Sequence, residues 1–229
     1  MRKFIKWIIN IILIGVLIYS GYNIYIKLKE YKQADVTYSK IREIKNSGKE
    51  DLSILNKDFR FWIMVDGTNI DYPVVQSKDN YFYLYKDFYG NKLGSGTIFM
   101  DYRNDYKNDK NTILYGHNMQ NNTMFSQLES FKDPEFWNKN NKIRIMDKDK
   151  EYVYEVFSAY VIDPGYDYLT TDFNSDEEFM KYLDDVKAKS LNKSDVVLSP
   201  DDKVITLSTC SYEFKNARTV VHGRLIEEK

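Results

Sequence analysis

Eight short runs rich in β-branched and aromatic residues constrain this chain most. They are Phe61 to Val65, Tyr72 to Val75, Thr97 to Met100, Thr112 to Tyr115, Lys142 to Met146, Tyr152 to Val161, Val204 to Thr209 and Thr219 to Ile226, separated by clusters of Gly, Asn and Asp. Side chains that alternate across a pleated backbone, bounded by turn formers, predict strands. Eight of them in one domain predict a mainly antiparallel barrel or sandwich. One interruption reads as helix. Ser175 and Glu178 have capping-box spacing, and Phe179, Tyr182, Leu183 and Val186 follow on one helical face. That predicts a helix of about 15 residues between the sixth and seventh strands.

Upstream the character differs. Trp7 to Ile26 is uncharged and mostly apolar between Lys6 and Lys27. At ~1.5 Å per residue it spans roughly 30 Å, the thickness of a hydrocarbon core, and so predicts a transmembrane helix. Ser20-Gly21 is followed by Tyr22, Asn23, Ile24 and Tyr25 rather than by a small-residue cleavage site, so the segment reads as an uncleaved anchor. Arg2, Lys3 and Lys6 favour a cytoplasmic N-terminus with the rest of the chain outside, against the opposing bias of Lys27, Lys29 and Lys32. From Leu28 to about Leu55 the chain is charged and lacks proline, and Tyr31, Ala34, Tyr38, Ile41 and Ile44 form a helical stripe. One or two helices are expected there. The organisation is thus an anchor over residues 1–27, a helical extension over 28–57 and one β domain over 58–229.

Beyond residue 27 the chain carries 29 Lys and Arg against 34 Asp and Glu. This mildly acidic balance lacks the basic footprint of a nucleic-acid binder. The only cysteine is Cys210, which excludes an intrachain disulfide. A lone cysteine is ordinarily a small core hydrophobe, but its position here suggests chemistry. Val204, Thr206, Ser208 and Cys210 share one face of a strand, with the thiol at its end. Ser211 to Ala217 then leads to a strand that begins at Arg218. If the two pair as a hairpin, Cys210 and Arg218 face each other at its mouth, where a guanidinium favours a thiolate and can hold an oxyanion.

A thiol nucleophile needs a proton partner, and the two histidines are His117 and His222. His117 follows a glycine bend at a strand end. His222 lies inside the last strand at the parity of Arg218, and spacing alone leaves both open. Two histidines and one cysteine give no zinc site of ordinary spacing. Asp101 to Asp109 lacks the order of a calcium loop and reads as a solvated turn. Gly94-Ser95-Gly96 has no following Gly-Lys-Ser/Thr and reads as a hairpin turn. Neither a metal nor a cofactor is expected.

Taken together and in order, several motifs resemble the sortases, membrane-bound cysteine transpeptidases of Gram-positive bacteria, and class B most closely. They are Trp62-Ile63, Ile70 to Gln76, Asp79-Asn80 with Tyr83-Leu84, Ile98 to Asn104, Tyr115 to Met119, Met124-Phe125, Thr206 to Cys210 and Arg218. The helical extension and the helix between strands six and seven also fit class B. The resemblance implies an eight-stranded β-barrel with His117, Cys210 and Arg218 as a catalytic triad. Cys210 would attack the threonine carbonyl of a C-terminal sorting signal, His117 would move the protons, and Arg218 would hold the oxyanion or orient the signal. It also implies signal-binding walls at Asn80 and Leu84 on one side and Tyr168 and Leu169 on the other, with Ser208 beside the nucleophile. Ser211 stands where some relatives carry an acid, so no carboxylate contact to the signal is expected from that position. The implied partners are sorting-signal-bearing surface proteins and an amine of a peptidoglycan precursor or crossbridge. The rival readings are a membrane-tethered cysteine hydrolase with the same triad and a binding module with an inert cysteine.

Overall fold

The computed structural model describes every residue except Met1, Lys49, Asp149, Pro164 and Asp167. Each sequence run becomes a strand: β1 (Phe59–Val65), β2 (Asp71–Val75), β3 (Ile98–Met100), β4 (Asn111–Tyr115), β5 (Lys142–Asp147), β6 (Lys150–Ile162), β7 (Val204–Cys210) and β8 (Arg218–Glu228). They close into a barrel in the order β1-β2-β3-β4-β7-β8-β6-β5. β5 seals it by pairing with β1.

Two of the pairings are parallel, β2 with β3 and β4 with β7. A parallel pair needs a long crossover, and these crossovers carry what builds the site. Between β2 and β3 runs the segment containing a 3₁₀ helix, Phe82–Tyr85. Between β4 and β7 lie a second 3₁₀ helix (Ser126–Lys132), α3 (Pro134–Lys139), β5, β6 and α4 (Asp176–Ala188). Because β2 and β3 are parallel, Gly94-Ser95-Gly96 is a turn leading into β3 and joins no hairpin, which corrects that expectation. Gly96 has φ +58°, and a Cβ there would stand 2.5 Å from the Leu84 carbonyl oxygen, so only glycine fits.

Burial divides by strand face. Ile205, Leu207 and Val221 enter a large core with Ile63, Ile98 and Leu114. Val204 and Val220 enter a second cluster, where Phe179, Tyr182, Leu183 and Val186 of α4 cover Phe157 and Tyr160 of β6. Each such side chain stabilises the fold by about 1.5–3 kcal/mol when fully buried. Ser175 caps α4 by accepting from the Glu178 N–H at 3.3 Å. The Glu178 carboxylate reaches back one residue further than the usual box and accepts from the Asn174 N–H at 2.8 Å.

The N-terminal segment is a single helix, α1 (Arg2–Ser47), followed by the short α2 (Leu52–Leu55). α1 is long and apolar enough over one stretch to cross a membrane. Its charged half turns Ala34, Tyr38 and Ile41 into the large core.

Candidate active site

β7 ends at Cys210, the first exposed residue after six buried ones. The register of β7 with β8 sets Cys210 opposite Arg218. Their connection is closed by the Ser211 N–H donating to the Ala217 carbonyl at 2.7 Å. Arg218 Nη1 donates to the Asn216 and Ala217 carbonyls at 2.9 and 3.1 Å. The loop's own backbone therefore orients the guanidinium beside the end of β7.

His117 arrives from β4. The parallel register pairs Tyr115 with Ser208, and the residues on both sides of His117 bond to the end of β7. The Gly116 N–H donates to the Ser208 carbonyl at 3.3 Å, and Asn118 Nδ2 donates to the Cys210 carbonyl at 2.9 Å. A Cβ at position 116 would meet the Phe125 ring at 2.8 Å, so the bend before His117 needs glycine. His117 Nε2 is 2.7 Å from the Leu84 carbonyl, and its ring lies 5.4 Å from that of Tyr85. A carbonyl only accepts, so Nε2 carries a hydrogen and Nδ1 is the nitrogen left for proton exchange.

His222 has a different environment. It is fully buried, with Nδ1 2.9 Å from the Thr206 hydroxyl and Nε2 2.9 Å from that of Tyr160. Burial pushes its pKa down to about 3. Both nitrogens are occupied inside the second cluster, which removes His222 from the candidates that spacing had left open.

The residues expected to bind the signal gather around this mouth. Tyr168 and Ser208 are each 2% exposed, and their hydroxyls meet at 2.9 Å, making a buried floor beside the end of β7. α4 holds that floor in place, since the Tyr182 hydroxyl donates to the Tyr168 carbonyl at 3.0 Å. Asn80 spends its amide on structure: Nδ2 donates to Asp101 Oδ2 and Oδ1 accepts from the Tyr102 N–H, both at 3.0 Å. Leu84 is half-buried against the large core and lends its carbonyl to His117. Leu169 is half-buried on the second cluster, and its carbonyl accepts from Arg103 Nη2 at 3.0 Å.

Asp101 joins these walls, and it is not solvated as its acid-rich surroundings had suggested. It is 0% exposed and accepts from Asn80, from the Tyr115 hydroxyl at 2.8 Å and from the Arg103 side chain twice at 2.9 Å. Burial opposes its charge, but the donors, led by Arg103, outweigh it and hold the carboxyl below the usual range. Burial beside that carboxylate pushes the Tyr115 hydroxyl up.

A second hub lies behind the β7–β8 connection. Glu129 Oε1 accepts from Ser211 at 3.0 Å, from Thr219 at 2.8 Å and from Asn118 at 3.3 Å. Lys132 bridges Glu129 to Glu213. Burial works against the Glu213 charge, yet Lys132 and Ser211 bring its pKa down to about 2. Nothing in the sequence pattern had singled out Glu129, Lys132 or Glu213. Their only local signal is the i,i+3 spacing of Glu129 and Lys132 on one 3₁₀ turn. Among the described residues, no group of three or more His, Cys, Asp or Glu side chains is placed to hold a metal ion.

Residues 63–226 match the family model described as a sortase domain. Sortase B of Staphylococcus aureus is 37% identical over 99% of this chain and 98% of its own length. The crystal structure of Clostridium perfringens sortase B is 44% identical and covers 77% of this chain and 98% of its own, with a TM-score of 0.75. A Staphylococcus aureus sortase B–substrate complex is 37% identical and covers 86% of this chain and 98% of its own, with a TM-score of 0.79.

Proposed function

This chain belongs to the sortase family, class B, and is a cysteine transpeptidase; we propose that it cuts a C-terminal sorting signal after threonine and transfers the new acyl end to a peptidoglycan amine. One observation carries the reading. Cys210 faces Arg218 across β7 and β8, while the neighbours of His117 on both sides bond to the last residues of β7. A nucleophile, a proton carrier and a fixed cation then share one mouth.

The Cys210 thiolate attacks the threonine carbonyl carbon, and charge collects on its oxygen, where the Arg218 guanidinium stabilises it. The C–N bond breaks as His117 gives its Nδ1 proton to the departing amine, leaving a thioester on Cys210. An incoming amine attacks that thioester while His117 takes its proton back. The thiolate leaves, and a new amide joins the surface protein to the wall precursor. Leu84 keeps Nε2 of His117 engaged throughout, so Nδ1 does the exchange. Asn80, Leu84, Tyr168, Leu169 and Ser208 shape the groove for the signal, of which asparagine-proline-led pentapeptides are the first class to try. Residues 1–27 anchor the enzyme with its N-terminus in the cytoplasm, residues 28–57 form the stalk and 58–229 the catalytic domain outside.

The test is a panel of sorting pentapeptides given to the full chain with and without an added amine. The expected result is an amide-linked product that requires the amine and vanishes with Cys210→Ala or His117→Ala. Hydrolysis alone, unchanged by any amine, would instead identify a tethered hydrolase.

A further inference from the structure

α1 passes without a break from the apolar stretch into the part packed on the barrel, and each residue adds about 1.5 Å along its axis, which makes it a ruler of height. Its contacts are graded. Near the end of the apolar stretch, Lys27 Nζ donates to Gln120 at 2.7 Å, and a Cβ on Gly94 would stand 3.3 Å from the Glu30 carboxylate. Further along, Tyr38 bonds to Gly96 and Thr97, and Arg42 Nη1 donates to the Asp71 carbonyl at 3.3 Å. Last, Lys45 lies over the Trp62 ring at 5.4 Å. The barrel therefore stands alongside the stalk, with Gln120 and Gly94 at its low end and Trp62 about 27 Å higher.

The polar layer of a bilayer extends about 5–8 Å beyond the hydrocarbon on each side. Ile26 is the last residue of the apolar stretch, so Gln120 and Gly94 stand at the height of that layer. Gln120 follows His117 by three residues, at most about 10 Å of chain. Charge fits the same surface. Lys27, Lys29 and Lys32 on the stalk and Lys92 beside Gly94 are all exposed, with Glu30 the one acid among stalk residues 27–32. Such a group favours anionic headgroups.

Resting on the reading of Trp7 to Ile26 as an anchor, we infer that the Met119–Thr123 loop and the Lys92–Gly94 turn sit on anionic lipid headgroups of the bilayer that α1 crosses. The catalytic mouth then opens at the membrane surface, and a lipid-linked amine reaches it more readily than an amine held further out.

The test uses the full chain in nanodiscs of anionic and zwitterionic phospholipid. In a Cys210→Ala background a fluorophore is placed on Asn121→Cys, Lys92→Cys or Glu50→Cys, the last beyond the far end of α1, and quenched by nitroxide on the lipid headgroups. Quenching should be several-fold stronger at 121 and 92 than at 50, and should weaken as the anionic fraction is lowered. Seven helix-forming residues inserted between Ile26 and Lys27 lift the barrel by about 10 Å. They should weaken quenching at position 121 several-fold, towards the weak quenching expected at position 50. In the otherwise native enzyme the insertion should slow transfer to an amine coupled to a phospholipid, while cleavage of a soluble peptide stays unchanged. A chain that does not co-float with lipid overturns the anchor and this inference together. A chain that co-floats but is quenched equally at all three positions overturns this inference alone.

Discussion

At the scale of single residues, the guanidinium of Arg218 makes the sharpest commitment. Its planar fork is held by two carbonyls of its own loop, and a lysine ammonium cannot reproduce that geometry. Arg218→Lys should lower kcat by about 10²-fold or more, as loss of an oxyanion donor does. Near-normal turnover would leave Arg218 with no geometric role. His222 tests the other side of the assignment. Its pKa is lowered to about 3 in the fold, whereas the unfolded chain binds that proton below about pH 6.5. The unfolded state then holds more protons, so stability is full above about 6.5 and falls as the pH drops, by at most about 1.4 kcal/mol per pH unit. Denaturant titrations between about pH 6.5 and 5, a window largely above carboxylate titration, should show that slope in the native chain. His222→Gln should remove it while keeping activity per folded molecule. Strand alternation announced the facing of Cys210 and Arg218 at a strand end, whereas spacing left His117 and His222 both open and only the resemblance to the sortases preferred His117. Asp101, Glu129 and Glu213 were not legible, because besides near neighbours each depends on a partner far away in sequence: Asp101 on Tyr115, Glu129 on Thr219, Glu213 on Lys132.

At the scale of elements, the strands were legible nearly to the residue, since each buries at least one face and turn formers bound it. α4 was legible from its capping serine and apolar face. The two 3₁₀ helices and α3 escaped, being too short to show a period. The continuity of α1 escaped too, because the change from apolar to charged residues at Lys27 reads as a boundary although the backbone never breaks. The missed pieces bear directly on the site, as Phe82–Tyr85 supplies the carbonyl that fixes His117. Arg103 makes a comparable link between elements, tying the end of β3 to the loop before α4 through Leu169. A hydrogen bond from a charged donor contributes about 1.5–3 kcal/mol. Arg103→Met should therefore raise KM for the sorting peptide on the order of ten-fold with kcat little changed. A fall in kcat at constant KM would mean that Arg103 acts on the chemistry and not on the groove.

At the scale of the whole molecule, a barrel was legible as one of two solutions for eight short strands, the other being a sandwich. The parallel pairings β2–β3 and β4–β7 were not, because no local pattern records which strands meet after a crossover. The β4–β7 pairing brings the segment of His117 to the end of β7 at Cys210, 93 positions further along the chain, where the proposed site lies. The account rests on a thioester at Cys210 that an amine resolves, and intact-mass measurement after rapid mixing with a sorting peptide tests it most directly. The native enzyme should gain the mass of the peptide's N-terminal acyl fragment, located on Cys210, and lose it on addition of an amine as that amine appears in the released product. An enzyme whose mass never changes while peptide is consumed, or an adduct that only water removes, would contradict the account.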